Sequence, residues 1–219
     1  MESKKSKMPS ANYSLKVGAR GSPLSQAQLW EVHREIVQWH PAIEFCPVWI
    51  TTRGDCDKKT SLRTLEKTDF FTREIDERQL RSEFRIAIHS AKDLPEPLAK
   101  GLKVVALTKG VDPSDVLVYN DLPQNPVIAT SSQRREEMVK KWRPGCQFVD
   151  VRGTIEERLQ KLDDEQFDGL VMAEAALIRL GLTHRKRLKL EGETAPLQGR
   201  LAVVAREGDL EMEKLFRSL

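Results

Sequence analysis

The chain has 219 residues, of which 39% are hydrophobic and 32% charged, enough for one large or two modest domains with a real core. The net charge of +3, from 36 basic against 33 acidic side chains, is too balanced to argue for nucleic acid. No apolar run approaches the ~20 residues needed to cross a bilayer. Three cysteines (Cys46, Cys56, Cys146) form no CxxC pair and read as reduced thiols of a cytoplasmic protein. The four histidines have neither HExxH spacing nor a cysteine at ligand distance, which argues against a metal site.

Residues 1–13 carry Lys4, Lys5 and Lys7 with no apolar stretch behind them, and read as a flexible basic tail rather than a secretory signal. One unit then recurs: an apolar run, a small polar cluster, a helical pattern. Leu15 to Gly18 leads through Ala19-Arg20-Gly21-Ser22-Pro23 into an amphipathic stretch from Leu24 to about Trp39. Ser22 suits the N-cap, Pro23 the first helical position, and Pro41 the stop. Thr52-Arg53-Gly54-Asp55, followed by Lys58, Lys59 and Thr60, reads as a polar loop long enough to act as a lid. Arg85 to Ile88 leads into His89-Ser90-Ala91-Lys92-Asp93, broken by Pro95 and Pro97. Gly110 and Pro113 mark a boundary.

Val127 to Ala129 leads into Thr130-Ser131-Ser132 and a helix carrying Arg134 and Arg135 in its first turn. Phe148 to Val151 leads into Arg152-Gly153-Thr154, where Thr154 and Glu157 have capping-box spacing. Gly169 to Met172 leads into a helix from about Ala173 to Leu180, closed by Gly181. Leu201 to Ala205 reads as a last strand and Leu210 to Leu219 as a last helix.

Strands alternating with helices predict an α/β protein with mixed, mainly parallel sheets and helices on both faces. The late strand and helix predict a discontinuous first domain, 14–109 plus 200–219, around a second, 110–199. Ligands of such sheets bind beyond the carboxyl ends of the strands, the edge that the polar clusters share, so the predicted site is the cleft between the domains.

Arg20, Arg134, Arg135, Arg152, Arg158 and Arg179 lie in or near these junctions, and a guanidinium matches a carboxylate bidentately. Hydroxyls and free N–H groups at helix starts add neutral donors for an anion. Two arginines at the positive end of a helix are unfavourable in isolation, and an anionic ligand would remove that penalty. For any single arginine the plain alternative is a solvated helix face. The pattern says polyanion; phosphate competes with carboxylate, although GxxxxGK[ST] and GxGxxG are both missing. Asp93 would be a carboxylate in a basic cleft, suited to stabilising a developing cation or moving a proton. Its alternative is a structural cap of the turn before Pro95. Trp30 and Trp39 read as packing.

In these motifs the chain resembles the porphobilinogen deaminase (hydroxymethylbilane synthase) family. The resemblance is carried by Gly18-Ala19-Arg20-Gly21-Ser22-Pro23-Leu24, Thr52-Arg53-Gly54-Asp55, His89-Ser90-Ala91-Lys92-Asp93-Leu94-Pro95 and Ala129-Thr130-Ser131-Ser132-Gln133-Arg134-Arg135. Val151-Arg152-Gly153-Thr154 with Arg158, Ile178-Arg179-Leu180-Gly181-Leu182 and Gln198-Gly199 continue it. It implies two domains like bilobal type II periplasmic binding proteins, and a transferase that joins four porphobilinogens into hydroxymethylbilane with release of ammonia. It further implies Asp93 as the catalytic carboxylate, and Arg20, Ser22, Arg152, Gly153, Arg158 and Gln198 on the substrate side. Ser90, Lys92, Thr130, Ser132, Arg134, Arg135 and Arg179 are implied to hold a dipyrromethane cofactor.

The family's third domain and its cofactor-bearing cysteine are expected to be absent from this chain, and Cys146, in the loop before Phe148, is no substitute. The lid reads Glu66-Lys67-Thr68-Asp69-Phe70-Phe71 where the family is glycine-rich. Thr154 replaces Asn, and Leu197 and Arg200 replace small residues. The implied partner is the small molecule porphobilinogen, with no nucleic acid and no membrane; the chain is a monomer, or a partner supplies the missing domain. Two other readings stay open: a bilobal binding protein for carboxylated pyrroles or other small polyanions, and a phosphate or nucleic-acid binder.

Overall fold

The computed structural model describes residues 13–57, 59–61, 63 and 68–219; the basic tail up to Asn12, Lys58, and Glu66-Lys67 of the lid lie outside them. Among the described residues ten strands form two five-stranded sheets. The first has the order β2(Ile43–Ile50), β1(Tyr13–Arg20), β3(Ile86–Ser90), β10(Leu201–Arg206), β4(Leu102–Leu107). The second runs β7(Gln147–Val149), β6(Val127–Ala129), β8(Gly169–Ala173), β5(Asp115–Tyr119), β9(Arg187–Lys189). In each sheet two pairs are parallel and two antiparallel, so the expected mainly parallel character covers only half of each. The cause is that β10 and β5 run against both of their neighbours, each sitting where the chain passes from one sheet to the other.

Alternation along the strands assigns helices to both faces. In β1, Leu15, Val17 and Ala19 face a core shared with α1(Pro23–Ile36) and α7(Leu210–Leu215), through Leu29, Val32, Ile36, Met212 and Leu215. Gly18 faces the other way, under Phe84, whose ring carbons lie 2.3–2.8 Å from where a Cβ would stand. Ala87, Ile75 of α3(Arg73–Leu80), Ile50 and Phe84 form that second face. The second sheet packs α5(Ile155–Asp163) and α6(Glu174–Arg179) on one face and α4(Gln133–Trp142) on the other.

The expected caps are present. Ser22 Oγ accepts from Ser25 N at 3.3 Å with Pro23 at the first position, Thr154 and Glu157 form the reciprocal box, and Gly181 takes φ +68°. Three helices are shorter than expected: α1 ends at Ile36, α6 spans Glu174–Arg179, and α7 stops at Leu215. Trp30 meets His33 edge-on, but Trp39 is 63% exposed and packs little.

The chain leaves the first sheet through 108–114 and returns through 190–200. These crossings run side by side: Val111 N donates to Gly199 O at 3.1 Å. Gly110 and Gly199 both have φ +87°, and a Cβ on Gly199 would stand 2.4 Å from Val111 O. Only glycine fits such a close backbone approach in the left-handed region. No helix among the described residues is long and apolar enough to cross a membrane.

Candidate active site

The carboxyl ends of β1 and β3 meet those of β6 and the segment after β7 across a cavity of about 550 Å³. From the first lobe, β1 ends in Arg20, Ser22 caps α1, and Ser90 accepts a 2.7 Å bond from Gln28 Nε2 of α1. A single 3-10 turn, Ala91–Asp93, then projects Lys92 and Asp93 into the cavity. The second lobe contributes Ser132, Arg135, Arg152, Gly153 and Arg158.

Asp93 is exposed to the cavity, and among the described residues its carboxylate takes no hydrogen bond. The turn closes through its backbone, Leu94 N to Ala91 O, so the capping alternative for Asp93 finds no bond to support it. Beside it, burial pushes Lys92 down to about 8, with Asp93 raising it and Arg135 lowering it. Its ammonium donates to Gln198 Oε1 at 3.2 Å. Arg158 is also free of carboxylate partners among the described residues, its Nε donating to Gly153 O at 2.8 Å. Burial, then Arg135, Arg152 and Arg20, push Arg158 down to about 10. A half-buried guanidinium with other cations near it and no carboxylate in contact among the described residues suits a polycarboxylate ligand.

The other arginines are already engaged. Arg20 Nε donates to Asp55 Oδ1 at 3.1 Å, a shorter Nη2 contact reaches the same oxygen, and its guanidinium lies 4.4 Å from the Phe71 ring centroid. Burial pushes Asp55 up, but Arg20 and Thr52 outweigh it and hold it below its ordinary value. Arg152 donates across the cleft to Gly54 O, Asp57 O and Thr60 O at 2.6–3.1 Å. The segment expected to be a polar loop opens with a short helix, α2(Arg53–Cys56), because Thr52 and Asp55 form a capping box, and it already touches the second lobe. Arg179 lies at the C-terminal end of α6, where a helix favours a cation, rather than at a strand-to-helix junction. It clamps Glu31 of α1 with bonds of 2.7 and 2.8 Å and donates to Gly199 O.

Twelve of the expected site residues line the cavity; Thr130 and Arg134 do not. Thr130 is 1% exposed, and its hydroxyl accepts from Ser132 N. Arg134 turns away to Glu193 O at 2.7 Å. The anion expected at the start of α4 is provided by the protein: Asp115, fully buried at the start of β5, lies 2.7 Å from both Arg134 Nη1 and Arg135 Nη2. Sequence reasoning missed Asp115 and Glu31. Neither sits in a motif near its partner, lying 20 and 148 residues away, and an acid opening a strand is the only local signal that Asp115 carries.

Comparison with known proteins agrees with this architecture. Solved structures with the same fold include the probable amino-acid ABC transporter extracellular-binding protein YtmK of Bacillus subtilis (TM-score 0.56, 12% identity, 94% of this chain and 90% of that one). Another is the LysR family transcriptional regulator CbnR (TM-score 0.57, 11% identity, 94% and 69%). A curated relative, the probable porphobilinogen deaminase of Chlamydia pneumoniae, is 38% identical over 208 residues, covering 92% of this chain and 88% of its own. The porphobilinogen deaminase of Clostridioides difficile is 37% identical over 213 residues, covering 93% and 71%. The family model described as "Porphobilinogen deaminase, dipyromethane cofactor binding domain" matches residues 15–214, and the chain belongs to the porphobilinogen deaminase family.

Proposed function

We propose that this chain is a hydroxymethylbilane synthase, joining four porphobilinogens with loss of ammonia in tetrapyrrole biosynthesis, in the cytoplasm. The observation that carries the reading is Asp93: a carboxylate that takes no hydrogen bond among the described residues, in a cavity that Lys92, Arg135 and Arg158 also line. Each joining step passes positive charge through a pyrrole nitrogen as the amine leaves. A fixed carboxylate within reach of that nitrogen lowers the barrier by stabilising the charge as it develops. The cations around Asp93 serve the ligand's acetate and propionate groups instead. Among the described residues Lys92 and Arg158 form no salt bridge, so their donors are available, and Ser22, Ser90, Ser132 and Gly153 add neutral ones. A dipyrromethane fits this donor set, with Lys92, Arg135, Ser90 and Ser132 toward it and Arg20, Ser22, Gly153, Arg158 and Gln198 toward the incoming substrate. When bound it supplies the pyrrole carbon to which the first substrate joins.

Arg20, Arg152 and Arg179 line the cavity while already holding protein partners, an observation that favours, as a second reading, a binding protein for carboxylated pyrroles without turnover. Intact-mass spectrometry of the purified protein with porphobilinogen separates the two. Mass growing in pyrrole steps, or ammonia release with bilane in solution, supports the synthase; binding with neither supports the second reading.

A further inference from the structure

Asp115 does not line the cavity, yet it contacts two residues that do, Arg135 and Gln198, and a third, Arg134, that does not. It accepts from Arg135 Nε at 2.9 Å and from Gln198 Nε2 at 3.0 Å, and it lies 2.7 Å from Arg134 Nη1. Gln198 Nε2 also donates to Pro113 O at 2.6 Å. With its amide nitrogen so engaged, Gln198 must turn its Oε1 to the cavity side, where it meets Lys92 Nζ at 3.2 Å and Arg135 Nη2 at 3.4 Å. A flipped amide would set an NH₂ group against two cations. Arg135 Nη1 has no protein partner among the described residues, so the inner edge of the fork is fixed while the outer edge stays open.

We propose that Asp115 is a positioning residue: from behind the wall it fixes the Arg135 guanidinium and the Gln198 amide, so that Lys92 and Arg135 present an oriented pair of cationic donors to one ligand carboxylate. The role rests on the functional reading above. Orienting Arg135 before binding removes rotamer freedom that an arginine otherwise loses on engagement. Charge alone works the other way, because a buried anion behind the site weakens its pull on carboxylates. The two contributions therefore predict opposite signs when Asp115 is neutralised.

The test is Asp115→Asn, nearly isosteric, titrated calorimetrically with a dipyrromethane bearing acetate and propionate groups, below the melting temperature of both proteins. Positioning predicts binding at least tenfold weaker despite one more net positive charge. It also predicts that the alkaline loss of binding moves to lower pH, because Asp115 helps Lys92 to keep its proton. A purely structural Asp115 would shift the melting temperature and leave the affinity below pH 8 unchanged. Equal or tighter binding by the variant overturns the positioning role, while no binding by the wild-type chain overturns the functional reading and this role with it. If Asp115→Asn does not fold, Asp115→Asn with Arg134→Met removes the cation left unpaired. The same loss is expected there, and the same equality overturns it.

Discussion

At the scale of single residues, burial and charge make the site sensitive to pH. Lys92 is displaced downward, so its charge fades as pH rises through about 8. Carboxylate binding is therefore expected to weaken above that pH in the wild-type chain, and a Lys92→Met titration should show no such limb. The same displacement affects stability. A folded-state value below the unfolded one means that the unfolded chain holds the extra proton between about 8 and the ordinary lysine value. Keeping the ammonium buried therefore destabilises the fold below pH 8, and Lys92→Met should raise the melting temperature at pH 7, worth about 1–2 kcal/mol, while impairing binding. A residue that weakens the fold and strengthens the ligand site belongs to function.

Asp76, away from the cavity, gives an independent check. Burial pushes it up to about 6, the nearby Thr72 hydroxyl offsetting only part. Its folded value lies above the unfolded one, so its unfavourable contribution appears as pH rises from about 4 through 6 and is complete above that. Asp76→Asn should stabilise the protein by about 1–3 kcal/mol at neutral pH, with the gain vanishing below about pH 4 in thermal melts across that range. A gain that did not depend on pH would mean that ionisation is not its source.

At the scale of elements, the glycines show what a strand must leave open. Gly18→Ala would drive a methyl group into the fully buried Phe84 ring, and overpacking of this kind costs about 1–3 kcal/mol. Denaturant melts should show a lower midpoint with little change in slope. The strand, cluster and helix units were legible in the sequence wherever an apolar run met a capping residue, as at Val17 to Ser22 and Val151 to Thr154. Other elements were hidden for identifiable reasons. β2 contains Pro47, tolerable because β2 is an edge strand. α3 buries Asp76 and Gln79 beside its single buried apolar residue, Ile75, so its apolar stripe is too thin to read. β5 opens with Asp115, and a buried acid at a strand start makes sense only once α4 brings Arg134 and Arg135 to it. The cluster residues could be found in sequence, but the partners that decide which arginines remain free could not. Among the described residues Arg158 has no carboxylate in contact while Arg179 is clamped, and spacing alone treats them alike.

At the scale of the whole molecule, side-chain ties join the two lobes across the cavity, among them Arg63 of the first with Glu136 of the second at 2.8 Å. Arg179 and Glu31 join α6 to α1, with side chains only 4% and 14% exposed, and Arg152 reaches the carbonyls of the polar loop. Breaking one member of a buried pair leaves the other uncompensated, a loss of about 3–5 kcal/mol. Glu31→Gln is accordingly expected to open the lobes, with a larger radius of gyration in small-angle scattering and faster amide exchange at the facing ends of α1 and α6. An unchanged scattering profile and exchange pattern would show that the clamp does not set closure.

The central claim is that the closed cleft is a catalytic one with Asp93 at its centre. The most direct measurement is ammonia release from porphobilinogen by the wild-type chain and by Asp93→Asn, whose fold is verified by its melting curve. Release by the wild-type chain and loss of at least a hundredfold in the variant, with melting unchanged, is the predicted result. Undiminished release by Asp93→Asn, or no release by the wild-type chain, would contradict it.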